Sequence, residues 1–234
     1  FATSAIRSAS NGHEFVAQAK KVAGISISVI DGIEEADLIY YGNRMAVKMN
    51  ESISLIMDIG GGSTEFILGN EHTIFWKKSF LLGAARLLEK FKLSDPITFD
   101  ETVDFNAYLR HELGPLFEAI KHYKPAELIG SSGAFDSVVD VIAGEFGTEA
   151  LNDEHTEYNI DLNHYAFISK KIKESTIKER YHITGLIDMR VDMIVISVLL
   201  IDFILKELHL THMRVSTFSL KEGVISRKLG LKLF

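Results

Sequence analysis

Cysteine is absent from this sequence of 234 residues, proline occurs three times and tryptophan once. The absence of cysteine excludes a disulfide framework and thiolate chemistry, and it suits a reducing compartment, so we expect a cytoplasmic protein. Long apolar runs are also absent: the longest, MIVISVLLIDFIL at 193–205, is interrupted by Ser197 and Asp202. It is shorter than the roughly 20 residues that cross a bilayer. The run therefore predicts a buried core helix, and no membrane partner is expected.

An excess of positive charge is absent as well, since 25 Lys and Arg stand against 32 Asp and Glu for a formal net charge of −7. This balance argues against broad nucleic-acid binding, although a local basic cleft can hold an anionic substrate. The first ten residues, FATSAIRSAS, lack the basic leader and the apolar stretch of a signal peptide. They also begin without methionine, so we expect that residues precede Phe1.

The sequence does contain alternating helical and extended patterns. Apolar periodicity predicts helices over 11–24, 34–47, 81–91, 99–122, 163–180 and 188–208, and strands over 25–30, 53–59, 64–69 and 73–80. Segment 126–147 predicts a strand, a glycine–serine loop and a helix, and segment 212–230 predicts a strand, a turn and a helix. Strands with glycine loops that alternate with helices are typical of an α/β fold.

A run of three glycines lies in SLIMDIGGGSTEFILG, residues 54–69, between two apolar segments. The flanking segments predict a hairpin, and the loop lacks the Lys-Ser or Lys-Thr pair of a Walker motif. Backbone amides of such a loop can bind an anion, and Asp58 and Glu65 beside it supply the oxygen ligands that Mg²⁺ prefers. The alternative is a structural hairpin whose glycines only allow the turn. The candidate phosphate-binding residues here are Gly60, Gly61, Gly62, Ser63 and Thr64.

A second glycine loop, GSSGAF at 130–135, follows a short apolar segment and precedes a helical pattern. A loop in this position can direct amides and a helix N-terminus at a phosphate group. An ordinary strand-to-helix turn is the alternative. The candidate phosphate-binding residues are Gly130, Ser131, Ser132 and Gly133.

Two further segments carry charged candidates. In DGIEEADLIYYG, residues 31–42, Glu34 and Glu35 are either dipole partners of a helix N-terminus or a general base acting on water. In ATSAIR, residues 2–7, Arg7 is either a solvated charge or a bidentate phosphate ligand.

Five segments occur in a recognisable order: ATSAIRSASNG at 2–12, VIDGIEEADLIYYG at 29–42, LIMDIGGGSTEFILG at 55–69, LIGSSGAFDSV at 128–138 and RVSTFSLKEGVI at 214–225. Together they resemble the exopolyphosphatase and guanosine pentaphosphate phosphohydrolase family of the actin and sugar-kinase superfamily. The resemblance covers essentially the whole chain. It implies hydrolysis of the terminal phosphate of inorganic polyphosphate or guanosine pentaphosphate, with Mg²⁺ as cofactor.

The resemblance also implies a fold and roles for particular residues. We expect two actin-like (ribonuclease H-like) domains around a cleft, with residues 1–40 as the remaining part of the first domain and 41–234 as the second. Glu35 falls on the family's catalytic base, Asp58 and Glu65 on its metal-associated carboxylates, and Arg7 on an arginine that contacts substrate phosphates. The glycine loop and its carboxylates are expected on one hairpin rim that faces the cleft.

This sequence also departs from the family pattern. The family's first phosphate loop, of the type Asp-Ile-Gly-Ser-Asn, is absent, so the chain as given is expected to be incomplete as a catalyst. No appended helical domain is evident. An ATP-dependent kinase or chaperone of the same superfamily and a catalytically silent polyphosphate or nucleotide sensor stay as alternatives. The choice of substrate, the preferred chain length and the oligomeric state stay open, with a homodimer as one option.

Overall fold

The computed structural model describes residues 1–230, and its framework is a six-stranded mixed sheet. The strand order is β3-β2-β1-β4-β6-β5. Strands β1, β4 and β6 run parallel to one another, whereas β2, β3 and β5 are antiparallel to their neighbours. The strands are β1 Ser54–Ile59, β2 Thr64–Gly69, β3 Ile74–Phe80, β4 Glu127–Ser131, β5 Glu157–Ile160 and β6 Met213–Ser216.

Helices cover both faces of this sheet. They are α1 Ser4–Ser8, α2 Gly12–Ala23, α3 Gly32–Ala46, α4 Ala84–Phe91, α5 Phe99–Glu112, α6 Gly114–His122, α7 Gly133–Phe146, α8 Leu162–Glu174, α9 Ile177–Arg180, α10 Ile194–Glu207 and α11 Leu220–Leu229, with a 3₁₀ turn at Asp188–Arg190. The α/β class predicted from the alternating patterns is confirmed.

Alternation along the strands divides the buried side chains between two cores. Leu55 and Met57 of β1 join the larger core, which α4, α5, α7, α8 and α10 complete. Ile56, between them, joins a smaller core with Ile67 of β2 and residues of α3. Successive strand residues point to opposite faces, so polar residues with the same parity as Ile56 and Ile67 lie on the α3 face.

Helices α3 and α11 cross at two glycines. A Cβ atom on Gly42 would lie 1.9 Å from the carbonyl oxygen of Ser219, and one on Gly223 would lie 1.8 Å from that of Leu38. Farther along the pair, Arg227 of α11 donates to Glu34 of α3 at 2.6 Å. The two helices therefore pack backbone to backbone at a distance that only glycine permits.

The apolar segment 193–205 forms α10, in which ten residues are buried. This confirms the predicted core helix. Within residues 1–230, no helix has the length and apolar character needed to cross a membrane.

Several predicted element boundaries were wrong. The helix predicted over 99–122 is two helices, which end and begin on either side of Leu113. Pro115 explains the break, because proline has no backbone N–H and its ring clashes with the preceding turn. The helix predicted over 163–180 likewise divides into α8 and α9, and Thr176 begins α9 with a capping box. The helix predicted from 188 starts as a 3₁₀ turn, and α10 begins only at Ile194.

The strand predicted over 25–30 was also wrong. This segment makes a single bridge, between Ala2 and Val29. Ala2 donates to Ser28 at 2.9 Å and accepts from Ile30 at 3.1 Å, and a ladder needs several such neighbours in succession. Conversely, the four-residue strand β5 was not predicted. The domain division expected after residue 40 falls inside the continuous helix α3 and stays a prediction.

Candidate active site

The β1–β2 hairpin carries the first glycine loop. Asp58 and Glu65 are directly opposed across the two strands, and the next pair, Ile59 and Thr64, closes the ladder. The amide of Gly60 donates to the carbonyl of Ser63 at 3.0 Å. The predicted hairpin is confirmed, and it places the two carboxylates at the base of the loop on the face covered by α3.

Helix α4 binds the carbonyl groups of this loop. Ala84 N donates to Gly60 O at 2.9 Å, and Ala85 N donates to Gly61 O at 3.0 Å. Arg86 donates from its backbone to Gly61 O at 3.2 Å and from Nε to Gly62 O at 3.0 Å. The carbonyls of all three glycines are therefore engaged by α4, and the amides of Gly61 to Ser63 find no acceptor within residues 1–230. An anion can take that position.

A cavity of about 430 Å³ lies over the loop. Its walls come from the N-terminal segment, the loop, α3 and α4. They consist of Thr3, Ser4, Ala5, Glu35, Gly60, Gly61, Gly62, Ser63, Ala85, Arg86 and Glu89. The structure thus brings the predicted base Glu35 and the first predicted phosphate loop to the same cavity.

Glu35 lies in the first turn of α3, and its side chain is only 8% exposed. Arg7 donates from Nη1 to the Glu35 carboxylate at 3.0 Å and to the carbonyl of Ile30 at 2.7 Å. The N-cap of α3 is Asp31, which accepts from the amides of Ile33 and Glu34. Capping therefore does not require Glu35, and Glu34 turns away to Arg227. Arg7, predicted as a phosphate ligand, is placed as the ion-pair partner of Glu35.

Asp58 and Glu65 are buried, and within residues 1–230 the side chains that hydrogen-bond to them are hydroxyls rather than cations. Asp58 accepts from Ser131 Oγ at 2.8 Å and from Ser219 Oγ. Burial raises the pKa of Asp58 to about 6 against the lowering effect of these hydroxyls. Burial, followed by the charges of Glu35 and Asp58, raises the pKa of Glu65 to about 8, although Ser79 donates to it at 2.6 Å. Bringing three carboxylates together in this way favours a cation between them.

The donor chemistry of this cluster fits Mg²⁺. No group of three or more His, Asp or Glu side chains among residues 1–230 is arranged to hold a metal ion by itself. Mg²⁺, however, is commonly held by one or two carboxylates together with water and substrate phosphate. Asp58 and Glu65 are the carboxylates that would hold it, and this assignment stays a prediction.

The second glycine loop lies apart from the cavity. Ser131 donates to Asp58, and Ser132, with a φ of 74°, donates from Oγ to Ile59 O at 3.3 Å. A Cβ atom on Gly130 would lie 2.0 Å from the ring of Phe135, and one on Gly133 would lie 1.7 Å from the guanidinium of Arg190. The phosphate-binding role of Gly130, Ser131, Ser132 and Gly133 stays a prediction, and their observed contacts are with Asp58, the sheet and the packing of α7.

Among the residues at the site that sequence reasoning did not single out are Ser4 and Arg86 in the cavity wall and Ser219, which donates to Asp58. Ser219 had a usable signal, because SLKE at 219–222 is a capping box that marks a helix start. Arg86 had none, since its contact with Gly62 joins residues 24 positions apart.

A model of the Ppx/GppA phosphatase family matches residues 1–232. A Haemophilus influenzae protein is 30% identical over 232 residues, which cover 95% of this chain and 66% of that protein. Exopolyphosphatase 1 of Mycobacterium leprae is 27% identical over 236 residues, covering 98% of this chain and 67% of its own length. The chain thus spans about two thirds of the length of these curated relatives.

Solved structures agree with this match. The crystal structure of an exopolyphosphatase from Cytophaga hutchinsonii superposes with a TM-score of 0.93 at 40% identity, covering 99% of this chain and 74% of that one. The Aquifex aeolicus member of the Ppx/GppA family superposes with a TM-score of 0.79 at 26% identity, covering 97% of this chain and 72% of that one. The actin-like fold class is confirmed, whereas the number of domains and the missing N-terminal part stay predictions. The chain belongs to the Ppx/GppA phosphatase family.

Proposed function

We propose that the protein removes the terminal phosphate of inorganic polyphosphate by attack of water. The observation that carries the proposal is the position of Glu35, a nearly buried carboxylate bordering the same cavity as a glycine loop whose carbonyls are engaged elsewhere. A carboxylate and an anion site in one cavity are the two parts that hydrolysis of a phosphoanhydride needs. The exopolyphosphatase names of the relatives support this choice over a kinase.

In the proposed reaction, the amides of Gly61 to Ser63 bind the terminal phosphoryl group. Glu35 takes a proton from the attacking water, whose oxygen bonds to the terminal phosphorus while the bridging P–O bond breaks. The shortened chain leaves with the bridging oxygen. Arg7 holds the Glu35 carboxylate in place through its ion pair. The loop amides are fixed donors, and such donors stabilise the charge that develops in the transition state without reorganising.

Mg²⁺ is the proposed cofactor, with Asp58 and Glu65 as its protein ligands. When bound, it would supply positive charge to the oxygens of the transferred phosphoryl group. Guanosine pentaphosphate also ends in a phosphoanhydride, and we propose it as a second substrate of the same residues. The cytoplasmic location and the homodimer stay predictions.

Substitution of Glu35 by Gln tests the proposal. Gln keeps the size and most hydrogen bonding but accepts no proton, so kcat should fall by roughly 10²- to 10⁴-fold. The binding of polyphosphate should change much less, because the loop amides are untouched. The measurement is phosphate release by the intact protein from polyphosphate and from guanosine pentaphosphate, with Mg²⁺ or with EDTA.

Glu34→Gln is the matched control, since Glu34 pairs with Arg227 on the outside of α3. Its loss should cost little beyond an exposed ion pair of about 0–1 kcal/mol. If Glu34→Gln were inactive and Glu35→Gln active, the base would be Glu34 and the proposed assignment to Glu35 would be wrong. Full activity of both variants would contradict the mechanism, and an intact protein that binds polyphosphate without releasing phosphate would be the silent sensor.

A further inference from the structure

Gly62 lies between two side chains that the proposed mechanism does not use. On one side, a Cβ atom on Gly62 would lie 2.6 Å from Ser4 Oγ. On the other side, Gly62 O accepts from Arg86 Nε at 3.0 Å. Both Ser4 and Arg86 belong to the wall of the 430 Å³ cavity. One glycine of the loop is thus flanked by a hydroxyl and a guanidinium.

The hydroxyl of Ser4 has no partner within residues 1–230. Ser4 is 4% exposed, and its Oγ is buried without a hydrogen bond. A buried polar atom that lacks a partner costs roughly 1–3 kcal/mol, and such atoms are rare unless a ligand or water satisfies them. The neighbouring amides of Gly61 to Ser63 also lack an acceptor among the residues that the structure describes. A phosphate oxygen would satisfy both kinds of donor.

Arg86 is the cationic residue of this cavity wall, which also contains Glu35 and Glu89. Arg7 is held by Glu35 and by the carbonyl of Ile30. A polyphosphate chain would therefore enter a cavity whose two carboxylates repel it, and Arg86 supplies the opposing charge. Its Nε donates to the loop carbonyl, whereas its terminal nitrogens have no hydrogen-bond partner within residues 1–230. Guanidinium groups bind phosphate oxygens with two parallel hydrogen bonds.

We propose that Ser4 and Arg86 form a phosphate-binding subsite on either side of Gly62, occupied by a phosphoryl group of a linear polyphosphate. The inference rests on the proposed function and assigns two further substrate-binding residues to it. Arg86 has a double task, because Nε holds the loop carbonyl while the terminal nitrogens bind the substrate. Lysine keeps the positive charge but lacks the planar fork of separate nitrogens that places one donor on the loop and two on the substrate.

The test is calorimetric binding of tripolyphosphate, together with phosphate release from polyphosphate, by the intact protein. Arg86→Gln should raise the Kd for tripolyphosphate about 10- to 100-fold, as expected for the loss of charged hydrogen bonds. Ser4→Ala should raise it by roughly 3- to 10-fold, as expected for the loss of a single hydroxyl donor. The Kd of Arg86→Lys should fall between those of Arg86→Gln and the wild type, because the ammonium keeps the charge but not the paired donors of the guanidinium.

Two matched variants control for general effects on charge and stability. Lys90→Gln removes a positive charge from the exposed side of the same helix, where Lys90 lies over the ring of Tyr108. Ser8→Ala removes a hydroxyl from the end of α1, away from the cavity. A Kd for Arg86→Gln within twofold of that for Lys90→Gln would overturn the inference and leave the proposed function intact. A wild-type protein that neither binds tripolyphosphate nor releases phosphate would overturn both.

Discussion

The two glycine–serine loops have similar composition but different surroundings. In the first loop, the space that a Cβ atom on Gly62 would take holds Ser4 of the cavity wall. In the second, the corresponding space at Gly130 holds the ring of Phe135. The first loop thus needs glycine where its backbone borders a cavity, and the second needs glycine where a core side chain packs. The reason for a glycine is found in what occupies the place of its missing side chain.

The loops also differ in what their polar groups contact. Helix α4 engages the carbonyls of the first loop. The serines of the second loop are used internally, because Ser131 donates to Asp58 and Ser132 donates to Ile59 O. The second loop therefore reaches the candidate site through Asp58 rather than through the cavity.

Alanine at one glycine of each loop should give the largest difference in stability. Gly130→Ala places a methyl group 2.0 Å from the fully buried Phe135 ring, and such overpacking typically costs about 1–3 kcal/mol. Gly61→Ala meets nothing closer than 3.9 Å, so its free energy of unfolding should stay within about 1 kcal/mol of wild type. Urea denaturation of both variants measures the difference. Equal losses would show that the two loops are packed alike.

The carboxylates beside the first loop should make stability depend on pH. The folded-state pKa of Glu65, about 8, lies above the ordinary value of 4.5. Between these two pH values the folded protein keeps a proton on Glu65 that the unfolded chain releases, so the folded protein loses stability as pH rises from 4.5 to 8. Glu65→Gln removes this loss. In EDTA, the stability of Glu65→Gln relative to wild type should therefore grow from pH 5 to pH 8.5. A difference that is constant with pH would contradict the burial of an uncompensated Glu65.

Removal of the hydroxyl that joins the second loop to the site should have the smallest effect. Ser131 lowers the pKa of Asp58 by donating to its carboxylate. Ser131→Ala should therefore raise the pKa of Asp58 above about 6, by roughly one unit or less. The hydroxyl of Ser132 donates to Ile59 O and lowers the pKa of Asp58 less than Ser131 does, so Ser132→Ala should shift that pKa less. Carboxyl titration by NMR in the absence of metal measures both shifts, and a larger shift from Ser132→Ala would reverse the assignment.

Local patterns predicted much of the framework. Apolar runs on either side of the glycine loop located β1 and β2, and β3 was also located to within a residue; the apolar run at 193–205 located α10. The glycine run located the hairpin. These features depend on neighbours in sequence, and hydrophobic periodicity is sufficient to reveal them.

Contacts between distant residues were not predictable in the same way. The strand expected at 25–30 has an extended pattern but makes only one bridge, to Ala2. β5 has only four residues and depends on pairing with β6, more than 50 positions away. The binding of loop carbonyls by α4 and the approach of Ser219 to Asp58 likewise join separate segments. No periodicity within one segment encodes such a contact.

The crossing of α3 and α11 sets the distance between two parts of the candidate site. Glu35 lies in α3, and Ser219, which begins α11, holds Asp58. Because Gly42 and Gly223 allow the helices to touch, one spacing sets where Glu35 and the hydroxyl that donates to Asp58 lie relative to each other. Widening that spacing by a single methyl group would displace the candidate base Glu35 relative to the Ser219 hydroxyl that donates to Asp58. Substitutions at these two glycines should therefore lower the activity of the protein, although neither glycine borders the cavity.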